Sequence, residues 1–165
     1  MNCSRNLTRY TVRGAAVAAL YFGLTALSMS MGLASGVIQL RISEALCILP
    51  IFMPEAVAGL FVGCLLSNIF AGGAAWDIIF GSAATLIGAI GAYALRKLPE
   101  KFMWVTPLPT IAANAIIVPP VLIFAYGVPD AWWFIALTVS IGEIICAGLG
   151  GYGLYRVIKR YRIKF

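Results

Sequence analysis

The chain has 165 residues, 62% of them hydrophobic and only 11% charged, with a mean hydropathy of +0.96. A soluble domain carries about 25% charged residues, and disorder needs low hydrophobicity with high charge, so both classes are excluded. Twelve basic residues against six acidic ones give a net charge of +6. There is no His, and Cys3, Cys47, Cys64 and Cys146 form no C-x-x-C pair and no metal-ligand spacing. The composition therefore describes an all-α integral membrane protein, with no metal and no cofactor expected.

Gaps between charges lay out the helices, since crossing about 30 Å of hydrocarbon takes about 20 helical residues. From Arg13 to Arg41 there are 27 uncharged residues, enough for one helix and a turn near Ser35-Gly36. Arg41 to Pro54 is the awkward segment, because only ten uncharged residues separate Glu44 from Glu55. It fits a short tilted helix ending at Pro50, or a re-entrant segment buried in protein, as lipid tolerates no loose backbone. Glu55 to Asp77 encloses 21 uncharged residues, Asp77 to Arg96 another 18, and Lys101 to Asp130 a further 28. Ala131 to Tyr155 is broken only by Glu143. The reading is one membrane domain over 1–165, with six transmembrane helices near 14–35, 42–54, 55–71, 77–95, 107–126 and 131–155, the second one short.

Basic residues orient this frame. Arg5, Arg9 and Arg13 precede the first span, and Arg156, Lys159, Arg160, Arg162 and Lys164 follow the last. With Arg96, Lys97 and Lys101 in an inner loop, eleven of the twelve fall on one side, so the positive-inside rule puts both termini in the cytoplasm. Trp76, Trp132 and Trp133 then sit at outer turns and Trp104 at an inner one, as interfacial aromatics do. The first apolar stretch exceeds the 7–15 residues of a signal-peptide core and is expected to be retained as a helix.

A small membrane chain accommodates few polar groups inside, so each is a candidate site: a charge at the bilayer centre costs roughly 2.5–3.5 kcal/mol on insertion scales. Gln39, Arg41 and Glu44 gather at the first outer turn, and Asn68 and Asp77 flank the second. Arg41 and Glu44, three apart, could form a local ion pair capping the second helix with help from Ser43, or Glu44 could accept from a ligand's N–H groups. Asp77 could simply cap its helix. Asp130 after Pro129 reads as a turn former, and Glu55 after Pro54 as a helix start. Asn114 and Glu143 lie well inside apolar spans, and a lone carboxylate there needs a partner, a proton or a cavity. The candidate substrate-binding set is Gln39, Arg41, Glu44, Asn68, Asp77, Asn114 and Glu143.

The first helix spaces Ala15, Ala19 and Gly23 four apart, and Gly14 and Ala18 likewise, stripes that let helices approach closely. Internal packing and docking to a separate membrane subunit both fit. No G-x-x-x-x-G-K-[ST] loop and no nucleophile–His pair occurs, so nothing reads as catalysis or as ATP hydrolysis by that route. The basic tail fixes topology and touches anionic lipid; nucleic acid is not expected as a partner.

The segments IQLRISEALCILP at 38–50, PEAVAGLFVGCLLSN at 54–68, WDIIFGSAATLIGA at 76–89, LPTIAANAIIVP at 108–119 and IGEII at 141–145 resemble the QueT family over nearly the whole chain. These are substrate-binding S-components of energy-coupling factor (ECF) transporters. The short connection NIFAGGAAWD departs from the family pattern and leaves the size of the outer lid open. The resemblance implies a six-helix protein of a bacterial cell membrane that captures a queuosine precursor or salvage base, a 7-deazaguanine, from outside. It also implies partners, namely a transmembrane coupling subunit and two cytoplasmic ATPases. On that basis Glu44 is expected to take the donor edge of the heterocycle, and Gln39, Asn68 or Asn114 its carbonyl edge. Three alternatives stay open from the residues alone: another vitamin-like heterocycle, a stand-alone carrier with Glu143 as proton site, or a structural membrane subunit.

Overall fold

A computed structural model describes residues 2–34 and 38–163, with side chains from Leu7 onward. The turn expected at Ser35-Gly36, the side chains of Cys3 and Arg5, and Lys164 lie outside the described residues. The described residues form helices and connections and no strand. The long α-helices are α1 (Asn2–Ser30), α2 (Glu55–Phe70), α3 (Ala75–Ala94) and α4 (Leu108–Tyr126). α5 (Trp132–Glu143) runs through a π-helical segment, Ile144–Gly150, into α6 (Gly151–Arg160). Four helical stretches are long and apolar enough to cross a membrane: Leu7–Ser30, Ala75–Lys97, Glu100–Tyr126 and Trp132–Arg160. Ile42–Ile51 and α2 are shorter apolar helices.

The bundle carries its apolar side chains outward. Leu20, Ile79, Ile87, Ile116, Phe124, Leu137 and Leu149 are exposed, whereas Ser28, Ser43, Glu44, Asn68, Thr85, Thr106, Thr110 and Asn114 are buried. That distribution suits acyl chains as solvent, where polar groups must be satisfied inside. Trp76, Trp132 and Trp133 are exposed at the start of α3 and α5, and Trp104 is exposed in the connection before α4. They mark the two ends of the bundle.

Residues 42–51 form a 3-10 helix, not a short α-helix, and it contains Pro50. At about 2.0 Å of rise per residue, ten residues reach about 20 Å, where an α-helix would reach about 15 Å. Ser43, Glu44, Leu46, Cys47, Ile48, Leu49 and Pro50 are all buried, for the segment is flanked by α1, α2, α3, the π segment and α6. Protein rather than lipid surrounds this stretch, so its irregular backbone meets the condition that membranes impose. Its apolar residues join the main core: Leu46, Cys47 and Leu49 meet Val17 and Tyr21 of α1 and Leu60 and Cys64 of α2.

Small residues set the helix spacing. A Cβ on Gly59 would lie 2.5 Å from the Gly14 carbonyl oxygen, and one on Gly63 would lie 2.9 Å from that of Ala18. The G-x-x-x-G of α2 therefore meets the Gly14/Ala18 stripe of α1 backbone to backbone. Ala15, Ala19 and Gly23 form the neighbouring stripe, which is exposed, and no atom outside α1 lies near Gly23. α1 ends at Ser30, with Gly32 in the left-handed region (φ 70°) and Leu33 N–H donating to Ser28 O at 2.9 Å, a glycine-based stop. At the opposite end Arg13 Nη1 pairs with Glu55 Oε1 at 3.1 Å. Glu55 thus opens α2, as its place after Pro54 suggested, and also ties α2 to α1.

Candidate functional site

The cavity lies among α3, α4, α5 and the start of the 3-10 segment. It is lined by Gln39, Arg41, Glu44, Asp77, Gly81, Asn114, Val118, Val139 and Glu143. Each of the three α-helices contributes two residues one turn apart: Asp77 with Gly81, Asn114 with Val118, and Val139 with Glu143. A spacing of four puts each pair on one face. Asn114 and Glu143 sit about three turns in from the helix ends that carry Tyr126 and Trp132, so the cavity reaches deep into the bundle. The space between its walls is about 420 Å³ out to its mouth, but a water centre reaches only about 20 Å³ of it, room for about one water.

Glu44 is held from two sides. Tyr21 Oη donates to Glu44 Oε1, and Cys47 Sγ lies 3.1 Å from Oε2. Further along the same face of α1, Thr25 Oγ1 lies 2.8 Å from Ser43 Oγ, and Ser28 Oγ accepts the Ile42 N–H at 3.0 Å. Tyr21, Thr25 and Ser28 are thus a ladder at helical spacing that fixes the first turn of the 3-10 segment. The capping ion pair weighed for Arg41 and Glu44 is not formed: Arg13–Glu55 is the ion pair found among the described residues. Arg41 Nη1 instead faces Asn68 Oδ1 at 3.5 Å, and neither Arg41 nor Ser43 caps the helix with its side chain.

Asn68 stands behind the lining. Besides meeting Arg41, its Nδ2 donates to the Asp77 carbonyl at 3.3 Å, which joins the end of α2 to the start of α3. Asp77 lies in the first turn of α3 but does more than complement the helix end. Its Oδ2 accepts from Tyr126 Oη at 2.9 Å, and the same hydroxyl accepts the Ala74 N–H at 3.1 Å. Gly81 leaves room for this arrangement, since a Cβ there would lie 3.0 Å from Asn68 Nδ2 and 3.3 Å from Asp77 Oδ1. Asp130 is exposed in its bend and does not line the cavity. Six of the seven residues singled out from the sequence therefore face one space, and the seventh braces it.

Two polar atoms of the lining, Asn114 Nδ2 and Glu143 Oε2, are buried without a close hydrogen bond, on residues that are 6% and 9% exposed, and the Asn114 amide faces the Glu143 carboxyl. Glu143 closes α5 immediately before the π segment. Val139, Glu143, Ala147, Gly151 and Tyr155 are all buried, at four successive intervals of four. Over sixteen residues an α-helix would drift by about 160° from that repeat, and the wider π turn absorbs the drift. Glu143 and the α6 residues thus face the same interior, where Gly150 and Gly151 allow Ala45 of the 3-10 segment to approach.

Sequence reading missed Tyr21, Tyr126, Cys47 and the three non-polar lining residues. Tyr21 and Tyr126 look like ordinary membrane aromatics in the sequence. Gly81, Val118 and Val139 carried a usable signal, each lying four residues from an acid or amide already singled out.

Apolar helices outside and a polar cavity inside define an α-helical membrane protein. The chain belongs to the QueT transporter family, whose sequence pattern matches residues 11–160. It is similar to the queuosine precursor transporter QueT of Lactococcus lactis subsp. cremoris, 32% identical over 92 residues, 54% of this chain and 53% of that protein. The matched region thus spans about half the length of this relative. No solved structure matches the chain.

Proposed function

We propose that this protein is the substrate-capture subunit of an ECF-type importer and that its cavity takes a queuosine precursor or salvage base of the 7-deazaguanine type. The observation that carries the reading is the pair of buried polar groups, the Asn114 amide and the Glu143 carboxyl, each with an atom lacking a close hydrogen bond, in a cavity that Gln39, Arg41, Glu44 and Asp77 also line. A 7-deazaguanine presents an N–H/NH₂ edge for a carboxylate and a carbonyl for an amide or guanidinium. Leaving buried polar groups unpaired costs free energy that such a ligand would recover. The small open volume means that lining side chains shift outward to admit a bicycle. In this reading both termini are cytoplasmic, and the exposed Ala15, Ala19 and Gly23 face of α1 docks a transmembrane coupling subunit served by two ATPases.

Mass spectrometry of small molecules co-purifying with the protein, followed by titration of the stripped protein with the compound found, tests the substrate. A 7-deazaguanine is the expected result, and a different heterocycle redirects the reading within the same class. A buried Glu143 with no cation paired to it would also serve a stand-alone proton-coupled carrier. Concentrative uptake by the isolated chain in liposomes, driven by a pH gradient without any ATPase, would establish that alternative instead.

A further inference from the structure

The cavity has open space for little more than a water, so one of its walls has to move to admit a solute. The strap at residues 39–44 is fastened at every step. A Cβ on Gly142 of α5 would strike the Gln39 carbonyl oxygen, and Leu40 N–H donates to Leu33 O at 2.9 Å. Arg41, Ile42, Ser43 and Glu44 are met in turn by Asn68, Ser28, Thr25 and Tyr21.

The wall made by α3 and α4 is fastened unevenly. Toward the Leu108 end the two helices touch: a Cβ on Gly88 would lie 2.5 Å from Thr110 Oγ1, and one on Gly91 would strike the Pro109 ring. Toward the Tyr126 end an apolar groove separates Trp76 and Phe80 of α3 from Ile117, Pro120 and Phe124 of α4. Asp77, Gly81 and Val118, their neighbours in sequence, line the cavity, so here the wall is a single layer of helices. Pro119 and Pro120 have no N–H, which takes the usual helical partners from the carbonyls of Ala115 and Ile116 and lets α4 bend. Among the described residues, the side-chain hydrogen bonds that join α4 to the start of α3 are those of Tyr126. Its hydroxyl donates to Asp77 Oδ2 at 2.9 Å and accepts the Ala74 N–H at 3.1 Å.

We propose that solute enters between α3 and α4, with Tyr126 as the clasp and Pro119–Pro120 as the hinge. The segment beyond the hinge, about two turns long, swings away from α3 while the 39–44 strap stays in place. The inference rests on the cavity being the capture site proposed above, not on which compound is carried.

A cysteine at Val118, on the cavity side of α4, reports opening through its rate of modification by a water-soluble methanethiosulfonate, read by mass spectrometry on the full chain. Tyr126→Phe keeps the ring and removes both bonds, and should speed the reaction at least about tenfold, the low end for a hydrogen bond to a charged group. Pro120→Ala returns an N–H to the helix and should slow it. Gly142→Ala, which wedges the strap off α5, should accelerate it less than Tyr126→Phe does. An unchanged rate in Tyr126→Phe, or a larger acceleration in Gly142→Ala, overturns the route. Should Tyr126→Phe not fold, Pro120→Ala decides alone, and a rate at or above that of the unaltered helix overturns the hinge. Excess 7-deazaguanine should protect the Val118 cysteine; absence of protection strikes the capture reading, while the rates without ligand still decide how the cavity opens.

Discussion

Glu44 is held on both oxygens, buried in the 3-10 segment with a phenol on one and a thiol beside the other. Its carboxylate still has lone pairs free for a ligand, since two oxygens offer about four acceptor sites. Glu44→Gln replaces one of those oxygens with a donor that opposes Tyr21. The loss of a charge-assisted hydrogen bond is about 1.5–3 kcal/mol, or roughly 10- to 150-fold in ligand affinity by isothermal titration. Tyr21→Phe should weaken binding in the same direction without touching the ligand, because it frees the carboxylate to rotate. Unchanged affinity in both variants would assign Glu44 to packing alone. The acids and amides were legible in the sequence because charge is so rare in apolar spans. Their protein partners were not, because a tyrosine at 21 or 126 gives no sign of which helix it will meet.

At the scale of elements, the long apolar helices followed from charge gaps, but the form of the 42–51 segment did not. Ten mostly apolar residues with a proline allow several helical geometries, and the sequence alone does not show the neighbouring elements that enclose the segment as a 3-10 helix. The α1–α2 contact was half visible: the stripes of small residues appear in the sequence, but which stripe is internal depends on where G-x-x-x-G of α2 lands. Gly63 now offers a test. Its missing Cβ would lie 2.8 Å from Tyr21 Cβ and 2.9 Å from a backbone oxygen, so no side-chain movement makes enough room. Gly63→Leu should destabilise by at least the 1–3 kcal/mol typical of overpacking, read as a lower unfolding temperature in detergent, and should also loosen Tyr21. A stability equal to wild type would show that the two helices separate freely.

For the whole molecule, α1 presents two unlike faces: Gly14, Ala18 and Tyr21 look inward, and Ala15, Ala19 and Gly23 look out. Ala15→Leu or Ala19→Leu should therefore impair assembly with a coupling subunit, measured by co-purification, while ligand affinity stays within about twofold; normal assembly would leave that face to lipid. The proposed topology predicts that a cysteine at Gln39 is labelled by impermeant reagents in intact cells and one at Lys159 is not. Equal labelling of both would overturn it. The π segment carries a further consequence for sequence change along the last helix. Because the wide turn absorbs the drift between Glu143 and Tyr155, deleting a single residue such as Gly148 would restore an ordinary helix in which the two, then eleven residues apart, stay within about 20° of one face. The acid would keep the cavity and Tyr155 the core. This stretch should thus accept the loss of one residue, which in an ordinary helix would turn everything beyond it by about 100°.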